Sequence, residues 1–403
     1  MQAAAWSRRV GGGIRALPGG RHGGHESKTG VARRHPRWGA GTRIPAPADS
    51  AGPQTSGANH PPTPTRRRRE KRQGRGVRPD EMGLSTVLAR AMQSFLPVFF
   101  WFRPRKRLLP EYAPDERSIT VPTTFGPVNC KVYFPPATEH RQPPPVLVNF
   151  HGGGFVFGDP DQDDHLCRFL CVRAGITVLN VDYYLAPQHP YPVAPLQSFE
   201  VVCWVAENGG AANGWNGGRL AVSGHSAGGN IAAVVSRLAR DNGGPKISLQ
   251  VLSYPVLDLV TPVELKRQRL AKPLVPPWMA RMFNNAYIPE RERRGEWMAS
   301  PAFEDNARNL EGVAPAVVIV SELDFLRDEA EKYASSLRAA GVLREQRVVV
   351  GYDHGYVNTH PDPPDILEVY EAAATHLKVL HQDSDQVAEN QVSDVPAKTP
   401  DRA

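Results

Sequence analysis

The chain has 403 residues, 40% of them hydrophobic and 22% charged, which is enough for one large domain or two modest ones without disulfide or metal cross-links. Its formal net charge of +7 is unevenly distributed. Residues 1–80 carry 17 basic and four acidic side chains, a balance of +13, so the rest of the chain stands at −6. The folded part is therefore mildly acidic, and nothing in its composition indicates a nucleic-acid-binding surface.

Residues 1–81 are rich in Gly, Pro and Arg and show no apolar periodicity. Such a segment buries too little apolar surface to offset the entropy of ordering, so we predict a disordered basic leader. A nucleic-acid-binding tail and an organelle transit peptide are alternatives, whereas a secretory signal is excluded because no apolar stretch follows the first arginines. We favour a fourth explanation, in which this segment is translated upstream sequence and the native protein starts at Met82.

The next segment, residues 82–116, is first apolar and then basic. Its uncharged run from Ala91 to Phe102 is too short to span a bilayer and is interrupted by Pro97. The pattern favours a helix that covers a pocket of the same protein, and peripheral membrane contact through this helix is the alternative. At the other end of the chain, the polar tail 381–403 is predicted to be disordered.

Between about residues 118 and 380, short apolar runs alternate with longer runs of helical periodicity. The strand-like runs are, in order, SITVPT, NCKVYF, PVLVNF, ITVLNVD, LAVSG, LQVLSYP, AVVIVSE and QRVVVGY. Runs that are apolar on both faces are typical of buried parallel strands, so the alternation predicts an α/β fold with a mostly parallel, doubly wound sheet. Residues 259–300 interrupt the alternation and are predicted to form either a lid or a long structural connection.

The four cysteines do not follow the spacing of a metal site or a disulfide framework. Cys167 and Cys171 lie at helical spacing inside an apolar run, which is typical of buried thiols in a reducing compartment. We therefore predict a cytoplasmic protein, monomeric or homodimeric, that uses no metal and no cofactor.

The sequence GHSAGG, residues 224–229, follows a strand-like run and precedes a helical one. Gly224 and Gly228 flank Ser226 at the spacing of a strand-to-helix turn tight enough to force the nucleophile into a strained conformation. A nucleotide-binding loop is excluded, since neither a P-loop Lys-Ser/Thr nor a first-strand position is present. The motif alone leaves open whether Ser226 is a nucleophile or a small residue in a glycine-rich bend.

A second glycine-rich sequence, HGGGFVFG, begins at His151 directly after the run PVLVNF. Consecutive glycines let backbone N–H groups approach a substrate oxygen closely, as the stabilisation of a tetrahedral oxyanion requires. We predict that the N–H groups of Gly153, Gly154 and Ala227 form this oxyanion hole.

The base and its orienting acid are predicted at the ends of the last two strands. His354 follows the run QRVVVGY, and Asp324 follows AVVIVSE. Among the neighbouring carboxylates, Asp328 is better placed to begin the next helix, Glu322 lies nearer the strand, and Asp353 is too close in sequence to reach back to the ring. The order Ser226, Asp324, His354 is the order of an α/β-hydrolase triad.

Seven ordered motifs resemble the hormone-sensitive-lipase group of α/β-hydrolase esterases and lipases. They are HGGGF, DYYLAPQHPYP, GHSAGGN, YPVLD, SPAF, SELDFLRDE and HGY. The resemblance covers about residues 117–380. It implies an α/β-hydrolase fold whose helical cap comes from residues 82–116 and 259–300.

The resemblance implies the same oxyanion donors and makes Asp324 the triad acid. Three positions depart from the family pattern: Tyr184 stands for Arg, Gln188 for Glu, and Phe325 for Pro. The first two remove an ion pair that is usual near the wall of the active site, which puts substrate preference in doubt.

These features predict a serine hydrolase that cleaves small carboxylic esters of short to medium acyl length through an acyl-enzyme. An amidase, deformylase or lactonase with the same triad is an alternative, because attack on an acyl carbonyl does not specify the leaving group. A non-catalytic binding relative is a third hypothesis, weakened by the presence of His354.

Overall fold

The computed structural model describes residues 79–101, 110–136, 143–359 and 364–381. The predictions for residues 1–78, for the basic run 103–107 and for the tail from 382 onward lie outside the described residues, and the domain boundaries stay predictions. Within the described ranges, no helix combines the length and apolar character needed to cross a membrane.

The described residues form one eight-stranded sheet with the order β1-β2-β4-β3-β5-β6-β7-β8. The strands are β1 Asp115–Val121, β2 Val128–Phe134, β3 Pro145–Phe150, β4 Thr177–Val181, β5 Asn216–His225, β6 Ile247–Ser253, β7 Ala316–Ser321 and β8 Leu343–Val349. β2 runs antiparallel to β1 and β4, and the other neighbours are parallel. The predicted α/β class and mostly parallel sheet are confirmed.

Helices cover both faces of this sheet. Their bounds are α1 Pro79–Trp101, α2 Asp164–Ala174, α3 Val193–Glu207, α4 Ala227–Asp241, α5 Pro277–Tyr287, α6 Arg327–Ala339, α7 Tyr356–Thr359 and α8 Pro364–Leu377. Every residue of β3, β4 and β7 is buried, whereas β1 at the sheet edge is largely exposed. Burial on both faces explains why the central strands read as continuous apolar runs.

Alternate side chains of β3 pack into two separate hydrophobic cores. Val146 and Val148 pack with α4, whereas Leu147 packs on the opposite face with α2 and α8. This period of two fixes the register of β3, because a shift by one residue would exchange the two cores.

The predicted lid segment contains α5, which packs against α1. Asn285 Nδ2 donates to Ser85 Oγ at 3.2 Å, and both side chains are buried. Phe283 and Tyr287 on the same helix are also buried. The two segments assigned to a cap therefore contact each other, while their action as a lid stays a prediction.

Candidate active site

Ser226 lies at the turn between the last residue of β5 and the first residue of α4. Its backbone has φ 53° and ψ −113°, a left-handed conformation that is strained for a residue with a side chain. Its N–H donates to Ser253 O at 2.9 Å and its carbonyl accepts from Val256 N at 3.1 Å, so neighbouring backbone holds the strained turn in place.

The two flanking glycines have no room for a side chain. A Cβ on Gly224 would lie 2.3 Å from the Gly228 carbonyl, and a Cβ on Gly228 would lie 1.9 Å from Phe150 O. Real Cβ atoms do not approach backbone that closely, so glycine is required at both positions by packing of α4 against the ends of β3 and β5.

The structure brings Ser226, His354 and Asp324 into one hydrogen-bonded row. Ser226 Oγ lies 2.8 Å from His354 Nε2, and His354 Nδ1 lies 2.7 Å from Asp324 Oδ2. The three residues are 8%, 6% and 1% exposed, respectively. Such a row can move a proton from a hydroxyl to an imidazole while the carboxylate fixes the ring.

Burial and the neighbouring carboxylate oppose each other at His354. Desolvation lowers the pKa of the imidazole, but the charge of Asp324 and its hydrogen bond to Nδ1 outweigh this, and the pKa lies above its ordinary 6.5. The carboxylate therefore favours the protonated imidazolium form of the ring.

The other candidate carboxylates are engaged elsewhere. Glu322 accepts from Gly351 N at 2.7 Å, and Asp353 accepts from Leu274 N at 2.7 Å. Asp328 forms an ion pair with Arg269. The second oxygen of Asp324 accepts from Leu326 N at 2.9 Å, so this carboxylate is fixed at both ends.

The HGGG loop begins beside Ser226. A Cβ on Gly152 would lie 3.6 Å from Ser226 Cβ. His151 is stacked on Tyr183 with ring centroids 4.3 Å apart, and Tyr183 Oη donates to His151 O at 2.9 Å. These contacts anchor the start of the loop at the carboxyl end of β3.

The residues predicted to donate to the oxyanion lie on two elements, the HGGG loop and the start of α4. Gly153 and Gly154 have φ of 115° and 62°. In the described part of the chain their N–H groups donate to no protein acceptor, whereas Gly153 O accepts from Phe157 N. Ala227 is the first residue of α4, where an N–H has no intrahelical partner.

A buried polar network that includes His225, the residue before Ser226, escaped the sequence analysis. Asp163 accepts from Asn149 Nδ2 at 3.0 Å and lies 3.1 Å from His225 Nδ1, and Ser223 Oγ donates to Asn149 Oδ1. Burial raises the pKa of Asp163, but the facing His225 and Asn149 reverse this and leave it below its ordinary value. The available signal was an asparagine inside an otherwise apolar strand.

Tyr254 contacts both histidines of the site. Its ring meets His354 edge-on, with centroids 5.1 Å apart, and stacks on His225 at 5.5 Å. Its own φ is 35°. The ring therefore limits movement of the His354 imidazole.

The three residues that depart from the family pattern each contact another part of the structure. Tyr184 Oη donates to Pro127 O at 3.1 Å, and Gln188 Nε2 donates to Gln93 Oε1 at 2.8 Å. Phe325 is buried, with its ring centroid 6.0 Å from that of His354.

Residues 147–358, more than half of the chain, match the α/β-hydrolase fold family. The chain belongs to this family. The resemblance to its hormone-sensitive-lipase-like esterases is confirmed, and the chain is an enzyme of the carboxylesterase type, as the sequence predicts.

The relatives of this α/β-hydrolase include several esterases. Esterase LipI of Mycobacterium tuberculosis is 36% identical over 69% of this chain and 85% of the relative. Carboxylesterase NlhH from the same organism is 37% identical over 62% of this chain and 77% of the relative. The solved esterase of Pyrobaculum calidifontis superposes with a TM-score of 0.61 at 32% identity, covering 75% of this chain and 92% of that one.

Proposed function

We propose that this α/β-hydrolase cleaves small carboxylic esters of short to medium acyl length with Ser226 as nucleophile, His354 as base and Asp324 as orienting acid. The observation that supports this most directly is the row of hydrogen bonds, 2.8 Å and 2.7 Å long, from Ser226 Oγ through the imidazole to the carboxylate.

In the first half of the reaction, Oγ attacks the acyl carbonyl while His354 Nε2 accepts the hydroxyl proton. The N–H groups of Gly153, Gly154 and Ala227 stabilise the tetrahedral oxyanion. His354 then returns the proton to the alcohol oxygen as the C–O bond breaks, which leaves the acyl group on Ser226. In the second half, His354 deprotonates a water that attacks the acyl carbonyl, and it then returns this proton to Ser226 Oγ as the ester bond to the enzyme breaks and the acid is released.

Aromatic side chains lie beside the HGGG loop. A Cβ on Gly154 would lie 2.4 Å from the Phe283 ring, so this ring touches the loop. Phe157 packs against Phe283 with centroids 5.3 Å apart. We expect these two rings to contact the acyl chain of a bound ester.

The test is hydrolysis of p-nitrophenyl esters of increasing acyl length by the native chain and by Ser226→Ala. We expect the substitution to lower kcat on the order of 10⁴-fold or more and to abolish labelling by a fluorophosphonate. Ser335→Ala, on the exposed side of α6, is the matched control and should leave both unchanged. Activity that survives Ser226→Ala would disprove the nucleophile.

The same assay separates the alternatives. Faster turnover of p-nitroanilides or lactones than of any ester would identify an amidase or a lactonase. Absence of turnover and of labelling in the native chain would favour a binding relative. The cytoplasmic location and the monomeric or dimeric state remain predictions.

A further inference from the structure

The side-chain amide of Gln93, on α1, makes three hydrogen bonds at the edge of the active site. Its Nε2 donates to Val156 O at 2.6 Å and to Ala186 O at 2.9 Å, and its Oε1 accepts from Gln188 Nε2 at 2.8 Å. Val156 and Ala186 are fully buried. The amide thus satisfies two interior carbonyls that belong to different loops.

One of these carbonyls lies within the turn that carries the predicted oxyanion donors. Val156 N donates to Gly153 O at 3.1 Å, so Val156 closes the turn that contains Gly153 and Gly154. A displacement of the Val156 peptide would therefore move the N–H groups that are expected to bind the oxyanion.

This turn is strained and needs restraint from outside. Phe155 has φ 64°, a left-handed value that is unfavourable for a residue with a side chain. Its ring stacks on Tyr287 with centroids 3.8 Å apart, and its carbonyl accepts from Ala186 N at 2.9 Å. The Gln93 amide is the third restraint, and it joins the same two loops.

Gln188 sets the orientation of the Gln93 amide. Two carbonyls require both N–H groups of Gln93, so its oxygen must point to a donor, and Gln188 Nε2 is that donor. The resemblance implied Glu at position 188. The departure from the family pattern thus supplies a donor where a carboxylate could only accept.

We propose that Gln93 is a positioning residue that holds the oxyanion turn in its productive geometry, with Gln188 orienting its amide. This inference rests on the proposed hydrolase function. It assigns α1 a part in the chemistry although no α1 side chain belongs to the triad.

The first test is Gln93→Met, which keeps the length of the side chain and removes both donors. We expect kcat on a p-nitrophenyl ester to fall on the order of 10- to 100-fold, with KM changed by less than about twofold, because small misplacements of stabilising groups act on the transition state. Binding of an aryl trifluoromethyl ketone, which forms an oxyanion on Ser226, should weaken by the same factor as kcat/KM.

Two control variants separate positioning from packing. Gln188→Met keeps both Gln93 donors and should lower kcat less than Gln93→Met does. Ser94→Ala removes only an exposed hydrogen bond to Arg90 O on the same helix and should leave kcat unchanged. A loss of the same size in Ser94→Ala would contradict the proposal.

Gln93→Glu gives an answer even where Gln93→Met folds poorly. The introduced carboxylate faces two carbonyl oxygens and repels them, whereas its protonated form can donate to one. The ratio of kcat in this variant to kcat in the native enzyme should therefore rise at least about fivefold as pH falls below the carboxyl pKa, near 4.3 in its unperturbed state. Because protonation of His354 lowers kcat in both enzymes, the ratio of the two kcat values removes this shared effect of pH.

The outcomes distinguish the two proposals. Native enzyme without esterase activity would overturn the proposed function. Native activity together with an unchanged kcat in Gln93→Met, or a ratio for Gln93→Glu that does not depend on pH, would overturn the role of Gln93 alone.

Discussion

In the proposed reaction, the protonation state of His354 makes the activity depend on pH, and Asp324 sets the pH at which this ring is protonated. The imidazole must be neutral to accept the Ser226 proton, and the carboxylate holds its pKa above 6.5. Activity should accordingly fall as pH drops through that raised pKa, because protonated His354 cannot act as base. In a plot of kcat/KM against pH, we expect the midpoint of the acid limb above 6.5.

Asp324→Asn tests the cause of this shift. Without the carboxylate, burial alone acts on the imidazole, so the acid limb should move to lower pH while kcat falls on the order of 10⁴-fold. Asp353→Asn removes a weaker, neighbouring charge and should move the limb less, in the same direction. An acid limb that stays in place in Asp324→Asn would show that another group titrates.

At the scale of the element, Arg294 holds the carboxyl end of α5. Its buried guanidinium donates to Asn284 O, to Ile288 O and to Asn285 Oδ1. Asn285 in turn donates to Ser85 on α1. Burial lowers the pKa of Arg294 to about 10, and the partial negative charge at a helix carboxyl end offsets part of that cost. One side chain thus links the end of α5 to the packing of α1.

Arg294→Leu should loosen α5, since it leaves buried carbonyls without donors at a cost of about 1 to 3 kcal/mol each. We expect a lower melting temperature and faster amide hydrogen exchange in α5 than in the native chain. Arg291→Leu, an exposed neighbour, is the control and should change neither. Equal effects of the two substitutions would show that Arg294 does not hold the helix.

At the scale of the whole molecule, the basic leader and α1 should behave differently on truncation. A chain that begins at residue 79 keeps α1, and we expect its kcat/KM and melting temperature to match those of the full chain, because the leader lacks the apolar content for a core. A chain that begins at residue 110 loses Ser85 and Gln93 and leaves the inner surface of α5 uncovered. It should lose most of its activity, on the order of 10-fold or more. Equal activity in the two truncated chains would contradict this division.

The strands of the sheet and the residues at its carboxyl edge could be predicted from the sequence. Every predicted strand is present. The central strands are buried on both faces and leave a continuous apolar signature in the sequence, whereas the edge strand β1 is largely exposed. The positions of Ser226, Asp324 and His354 followed from the strand pattern, since each lies within five residues of the end of a strand and parallel strands end at one edge. The tight turn at Ser226 could be predicted from its flanking glycines, because no other residue fits at those positions.

Tertiary structure alone decided the contacts between distant segments. Asp163 meets His225 across 62 residues, and Gln93 meets Gln188 across 95. It also decided that Glu322, Asp328 and Asp353 are bound elsewhere, which leaves Asp324 to face the imidazole. A local pattern reports the period and the end of an element, whereas the partner of a polar side chain depends on how whole elements pack. The sequence by itself therefore determined the elements and pointed to the proposed triad, but it did not determine the hydrogen-bond network around these residues.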